Sequence, residues 1–248
     1  MDIKGKVCLI TGGGTGLGHE ISMQLAREGV DLAIGYSRSA SEAEETAQAC
    51  RELGVRAIAL KADLSSAQAA SELPGQAFQA LGRLDLLIHN AGTTRFVAFP
   101  DIDKISPEDW DEIFAVNTRS AFFMAQAAAP LMRQNGGGQL ITTSSIAGID
   151  PLGSSIPYAC SKAALIHLTQ CLSVALAPDI RVNSVAPGLL ITRWVAGFSE
   201  ERIEQMQSSA LLGRAAHVAD TAAAYVMLAK NESITGQTIV VDAGQTMR

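Results

Sequence analysis

Basic residues are in short supply. The 248 residues hold 19 Lys and Arg against 25 Asp and Glu, a formal net charge of -6, and no basic block stands out. A chain without a positive patch has no electrostatic footprint for a phosphate backbone or an anionic lipid surface, so neither nucleic acid nor membrane is expected as a main partner. Cysteine is scarce as well. Cys8, Cys50, Cys160 and Cys171 show no CxxC or other metal-ligand spacing, and read as small hydrophobes in a reducing compartment; no metal site is expected. His19, His167 and His217 have no partners at metal or triad spacing, which leaves core or surface roles. No apolar run looks long enough to span a bilayer, and the opening Met1-Asp2-Ile3-Lys4-Gly5-Lys6 builds no signal-peptide core, so a cytoplasmic location is expected.

What is present is a large apolar fraction, 48%, in a chain long enough to bury a core without disulfide or metal staples. Val7-Cys8-Leu9-Ile10 is a continuous apolar run, the mark of a strand covered on both faces. It feeds Thr11-Gly12-Gly13-Gly14-Thr15-Gly16-Leu17-Gly18, after which the period becomes helical through Ile21, Leu25 and Ala26 to Gly29. A strand, a glycine turn and a helix form an anion site, because N–H groups at the helix start point outward and glycine lets a phosphate approach. The spacing is GxxxGxG rather than GxGxxG, and no Gly-Lys-Ser/Thr follows, which disfavours a nucleotide triphosphatase.

The rhythm then repeats: a strand over 31–36, a helix over 41–53, a strand over 55–60, a helix over 67–81 and a strand over 84–88. Alternating strands and helices predict βαβ units with right-handed crossovers, hence an α/β fold: one doubly wound parallel sheet with helices on both faces, a single domain over 1–248. Ligands of such sheets bind beyond the carboxyl ends of the strands. There stand the glycine turn, Ser37 and Arg38, Asp63 and Leu64, and Asn90-Ala91-Gly92 after His89. In a dinucleotide site an acid about 20 residues past the turn holds a ribose 2′-hydroxyl, and an arginine takes a 2′-phosphate. Ser37 and Arg38 stand there with no acid, so NADP(H) is expected over NAD(H).

Ser106-Pro107-Glu108-Asp109 starts a helix expected to run from about 108 to 135, with Asn117, a poor helix former, in its middle. A strand over 139–143 ends on Ser144-Ser145. The helix expected over 157–177 opens on Tyr158-Ala159-Cys160-Ser161-Lys162, then come a strand over 180–185 and Pro187-Gly188-Leu189-Leu190-Ile191-Thr192. Tyr158 and Lys162, four apart, share a helix face at about 6 Å along the axis. The ammonium is expected to lower the phenol pKa from about 10 toward neutrality, making Tyr158 a general acid or base.

Taken together these residues resemble the short-chain dehydrogenase/reductase family over essentially the full chain: Thr11-Gly12-x-x-x-Gly16-x-Gly18, Asp63, Asn90-Ala91-Gly92, Asn117, Ser145, Tyr158-x-x-x-Lys162 and Pro187-Gly188-x-x-x-Thr192. The resemblance implies a Rossmann-type domain that moves a hydride between a nicotinamide and a carbonyl or alcohol carbon. It implies that Tyr158 exchanges the proton, Ser145 hydrogen-bonds the reacting oxygen and Lys162 binds the nicotinamide ribose. Asn117 would hold a relay water. Asn90, Gly92, Leu190 and Thr192 would line the cofactor, and Asp63 and Leu64 the adenine. The family often has two asparagines before Ala-Gly; His89 replaces the first, and a structural role is expected for it. Residues 189–213 are the family's variable lid, here with Trp194, Val195, Phe198, Ile203, Met206, Leu211 and Leu212 over a mostly apolar pocket, Trp194 facing substrate. A helix over 215–228 and a strand over 238–241 look like the family's assembly interface, implying a homotetramer or homodimer. Within the family, 3-oxoacyl-carrier-protein reductases and pteridine reductases stand behind a small-carbonyl reductase, because the arginines that would dock a carrier are missing near Gly136 and Ala177-Pro178-Asp179. A cofactor-binding sensor without catalysis is the reading from another class. A serine hydrolase on Ser145 fails for want of a GxSxG elbow.

Overall fold

The computed structural model describes residues 2–247; Met1 and Arg248, the ends of the expected domain, lie outside the described residues. Seven strands, β1 Val7–Thr11, β2 Asp31–Tyr36, β3 Ala57–Lys61, β4 Leu86–His89, β5 Gly138–Thr143, β6 Ile180–Pro187 and β7 Thr238–Val241, form one sheet in the order β3-β2-β1-β4-β5-β6-β7. All six pairings are parallel, from Leu32 beside Ala57 at one edge to Pro187 beside Val241 at the other. Helices α1 Gly16–Arg27, α2 Ala40–Glu52 and α8 Val218–Lys230 cover one face, where Ile10, Ile34 and Ile88 meet Ile21, Ala47 and Tyr225. Helices α3 Ala67–Leu81, α5 Ser120–Gln134 and α6 Ile156–Leu176 cover the other, where Leu9, Leu87 and Leu140 meet Leu73, Met124 and Leu172. β1 is buried along its whole length, which is why it reads as a continuous apolar run. The strand order reverses between β1 and β4, and the crevice above that reversal is where such a sheet takes its ligand.

Three expectations need correction. The helix expected over 108–135 is broken: α4 Pro107–Phe114, capped by the reciprocal Ser106/Asp109 pair, passes into a π-helical turn Ala115–Arg119 before α5 begins. The extra residue in that turn re-aims Asn117, which a regular helix would have left to solvent. Second, α6 is 21 residues long with a mean hydropathy of 1.3, so one helix does reach membrane-spanning length and composition. Its N-terminal half carries Tyr158 and Lys162 and one side of it packs on β6, while most of its apolar stretch is not buried in the single chain. Third, only Cys8 and Cys50 are buried hydrophobes; Cys160 and Cys171 lie exposed on α6. Burial alone pushes the Cys50 thiol up to about 11. One element was unforeseen: α7 Glu200–Ser208, capped by Ser199, folds the apolar segment after β6 into a helix.

Candidate active site

The glycine turn is built for close approach. Gly12 and Gly16 have φ of 62° and 53°, in the left-handed region that side chains disfavour. A Cβ on Gly18 would overlap the Gly12 carbonyl oxygen and come 2.7 Å from Asn90 Nδ2, so α1 is pressed against the turn. Asn90 is the staple. Its Nδ2 donates to the carbonyls of Thr11 (3.1 Å) and Gly12 (3.2 Å), and its N–H and that of Ala91 donate to Thr11 Oγ1, each at 3.0 Å. Thr143 Oγ1 lies 2.7 Å from Tyr225 Oη and donates to Asn90 Oδ1 (3.4 Å), tying the ends of β1, β4 and β5 together. Thr11 opens the glycine motif quoted from the sequence, whereas Thr143 and Tyr225 carry no motif there: their pairing across β5 and α8 shows only in the fold.

One groove of about 1140 Å3 runs over these strand ends. It is lined by Gly12, Thr15, Gly16, Leu17, Gly18, Ser37, Arg38, Asp63, Leu64, Asn90, Ala91, Gly92, Ser145, Tyr158, Lys162, Pro187, Gly188, Leu190, Thr192 and Trp194. Two expected site residues are not part of that lining. Gly14 sits under α2, where a Cβ would meet Ala43 Cα at 2.7 Å, so it serves the contact between α1 and α2. Asn117 is fully buried behind the groove wall. Its Oδ1 accepts from the Thr93 N–H (2.8 Å), and its Nδ2 donates to the Thr93 carbonyl (3.0 Å) and Ser161 Oγ (2.9 Å). A Cβ on Gly92 would lie 3.4 Å from Asn117 Oδ1 and 3.5 Å from Lys162 Nζ, so Gly92 lets both approach the groove.

Helix α6 begins beside this wall. Buried Ser155 accepts from the Tyr158 N–H (3.4 Å) and Pro157 occupies the first turn, fixing where Tyr158 emerges. Lys162 Nζ donates to the Thr143 carbonyl (2.8 Å) and stands 5.6 Å from the Tyr158 ring centroid. The electrostatics reverse an expectation. Burial pushes the Tyr158 phenol up to about 12, opposed by its hydrogen bond with Ser145, and burial lowers the Lys162 ammonium to about 8. Burial, not the lysine, governs the phenol here. Tyr158 is therefore a protonated phenol at neutral pH, the form of a proton donor.

His89, at the end of β4, is fully buried with Nε2 2.6 Å from Ser120 Oγ, and Ser120 donates onward to the Val116 carbonyl (2.7 Å). Burial and the nearby Lys162 charge lower it to about 3, so it is neutral. No group of three or more His, Cys, Asp or Glu is arranged to hold a metal ion among the described residues.

The segment after β6 roofs the groove. Thr192 crosses the glycine turn, 3.5 Å from where a Gly16 Cβ would be, and Arg193 Nη1 reaches Glu42 Oε1 of α2 at 3.2 Å. Trp194 stands 6.0 Å from Tyr158, ring centre to ring centre. Phe96, from the loop after β4, meets Phe198 edge-on at 5.3 Å. Phe96, Glu112, Leu152, Arg202 and Gln205 line this end without having been marked in the sequence. Phe96 and Leu152 are loop positions, which carry no period, and Glu112, Arg202 and Gln205 sit on short polar helices whose spacing does not mark a groove.

A family model described as enoyl-(acyl carrier protein) reductase matches residues 12–246. An L-rhamnose 1-dehydrogenase (NAD(P)(+)) of Sphingomonas sp. is 35% identical over 249 residues, covering 98% of this chain and 96% of its own. A 3-oxoacyl-[acyl-carrier-protein] reductase of Staphylococcus aureus is 32% identical, with 98% of each chain covered. Among solved structures, a short chain dehydrogenase of Burkholderia cenocepacia in complex with NADP has a TM-score of 0.91 at 32% identity, covering 99% of this chain and 100% of its own. These similarities make the protein a nicotinamide-dependent oxidoreductase of alcohol and carbonyl groups. The chain belongs to the short-chain dehydrogenase/reductase family.

Proposed function

We propose that the protein is an NADP(H)-dependent reductase of small carbonyl compounds, in which Tyr158 delivers the proton. The observation that carries this reading is geometric: Tyr158, with Lys162 Nζ 5.6 Å from its ring and Ser145 beside it, stands on the wall of a groove whose other end is a glycine turn. The nicotinamide, when bound, supplies the hydride. Tyr158 Oη gives its proton to the carbonyl oxygen as charge develops there, and Ser145 Oγ donates a hydrogen bond to the same oxygen. Lys162 turns from Thr143 toward the nicotinamide ribose, and Asn117 keeps the wall behind it rigid and holds a water to Lys162. Gly12, Thr15, Gly16, Leu17 and Gly18 present backbone N–H groups to the pyrophosphate. Asn90, Ala91, Gly92, Pro187, Gly188, Leu190 and Thr192 line the cofactor, Asp63 and Leu64 border the adenine, and Trp194 faces the substrate.

Ser37 and Arg38 take the 2′-phosphate. Of the acids nearby, Glu42 is paired with Arg193, and Asp63, which accepts from the Ser65 N–H and hydroxyl at 3.0 and 2.8 Å, stays an anion within the field of Arg38. We take the chain as one domain over 1–248 with a lid over about 189–213, acting in the cytoplasm as a homotetramer or homodimer, without nucleic acid, membrane or metal. Reduction of a carrier-bound 3-oxoacyl chain ranks second. One arginine does stand at the junction where none was expected: Arg133, half exposed and paired with Asp179 at 3.0 Å, which keeps the carrier-bound reading in play. Pteridine reduction and a silent NADP(H) sensor follow.

The test is NADPH oxidation against ketones, 3-oxoacyl thioesters and dihydropterins, in wild type and Arg38→Ala. Wild type is expected to turn over a simple ketone, and Arg38→Ala to raise the NADPH KM roughly ten- to a hundredfold, the value of a charge-assisted pair, with little effect on NADH. Tight NADPH binding without turnover of any substrate supports the sensor instead, and a wild-type preference for NADH removes the cofactor assignment.

A further inference from the structure

Four cationic side chains line the groove, and three have evident posts: Lys162 at Thr143 beside the catalytic phenol, Arg193 on Glu42, and Arg38 at the adenosine end. Arg202 is different. It projects from the first turn of α7 into the substrate end, with its guanidinium 4.0 Å from the centre of the Phe198 ring. No carboxylate lies within ion-pair distance of it among the described residues: Glu200 and Glu201 precede it on α7, and Glu112 lines the same mouth, and none of the three pairs with it. Phe198 is itself braced edge-on by Phe96.

A guanidinium stacked on an aromatic face gives up part of its rotamer freedom before any ligand arrives, and its edge keeps its donors free. That edge is a fork matched to a carboxylate, which it grips through two parallel hydrogen bonds. Between this fork and the Tyr158 hydroxyl the walls are Phe96, Phe198, Trp194 and Met206, apolar surfaces suited to an aryl or alkyl body. Resting on the reductase reading, we infer that the substrate is a carbonyl compound whose far end carries a carboxylate, and that Arg202 anchors that carboxylate while the carbonyl lies against Tyr158. The step stays a two-electron reduction: the nicotinamide gives hydride to the carbonyl carbon, Tyr158 gives the proton to its oxygen, and the carboxylate is unchanged.

This assigns a specificity role to a residue the reaction itself does not use.

The experiment compares keto acids that carry the carboxylate across an aryl or alkyl body from the carbonyl, 4-acetylbenzoate and 6-oxoheptanoate, each with its methyl ester, following NADPH oxidation. Wild type is expected to favour at least one acid over its ester by tenfold or more in kcat/KM, an advantage that shrinks with added KCl as screening increases. In Arg202→Gln the acid-to-ester ratio falls at least tenfold, through the KM of the acid with its kcat kept. Arg202→Lys, which keeps the charge and loses the fork, falls between. The ester measured in the same variant reports that the enzyme is folded. An acid-to-ester ratio equal in wild type and Arg202→Gln, or a wild type that favours every ester, overturns the carboxylate anchor and leaves the reductase reading intact. A wild type that reduces neither acids nor esters while 3-oxoacyl thioesters or dihydropterins turn over overturns the anchor and moves the reaction to those substrates.

Discussion

Tyr158 and Lys162 show how one burial acts on two groups in opposite senses. Removing water disfavours whichever form is charged, so the phenol rises to about 12 and the ammonium falls to about 8. For carbonyl reduction the useful state is phenol protonated and lysine charged. That state is fully populated below about pH 7 and is lost as pH climbs through the lysine's value. The pH profile of kcat/KM for a ketone is therefore expected to be level from pH 6 to 7 and to fall toward tenfold per unit above about 8. In Lys162→Arg, whose guanidinium does not deprotonate, that limb should vanish from the surviving activity. A limb unmoved by the substitution would assign the titration to another group. The sequence carried the identity of this pair, since a tyrosine and a lysine four apart within a helix are legible, but not its electrostatics: Thr143, which draws the ammonium away, comes from a different strand.

At the scale of elements, the turn at Ala115–Arg119 is the instructive case. Helical periodicity through 108–135 predicts one rod and leaves Asn117 as an ill-placed polar residue. The π turn resolves the conflict by swinging Asn117 inward, where Thr93 and Ser161 satisfy its amide. Asn117→Ala strips those partners and leaves the Thr93 N–H and carbonyl unpaired inside the protein, at a cost of about 1–3 kcal/mol. The expected result is a melting temperature lower by several degrees and a fall in kcat, measured by calorimetry and NADPH oxidation on the same preparation. Unchanged stability would mean that water replaces the amide. Such a turn leaves no trace in composition or period, whereas the expected helix over 67–81 coincides with α3, which Ser66 caps and Gly82 closes in the left-handed conformation.

The whole molecule is a parallel sheet whose loops at one end converge on a single groove. That convergence was legible early: alternating strands and helices dictate parallel pairing, and parallel pairing sends every strand's carboxyl end to the same side. Gly12, Asp63, Asn90, Ser145 and Pro187, far apart in the chain, could thus be placed together before any coordinate was known. The substrate end was not legible to the same degree. Phe96 and Leu152 come from loops and Arg202 from a short helix, and what brings Phe96 and Arg202 together is their shared contact with Phe198 rather than any repeat. The central claim is that this convergence exists to set a protonated phenol beside a bound nicotinamide. Its most direct test is the single-turnover rate of NADPH oxidation by a good ketone in Tyr158→Phe, with NADPH affinity measured on the same protein. The account predicts a rate reduced at least a hundredfold with affinity kept within a few fold, in line with what a positioned general acid contributes; a rate undiminished by loss of the hydroxyl would contradict it.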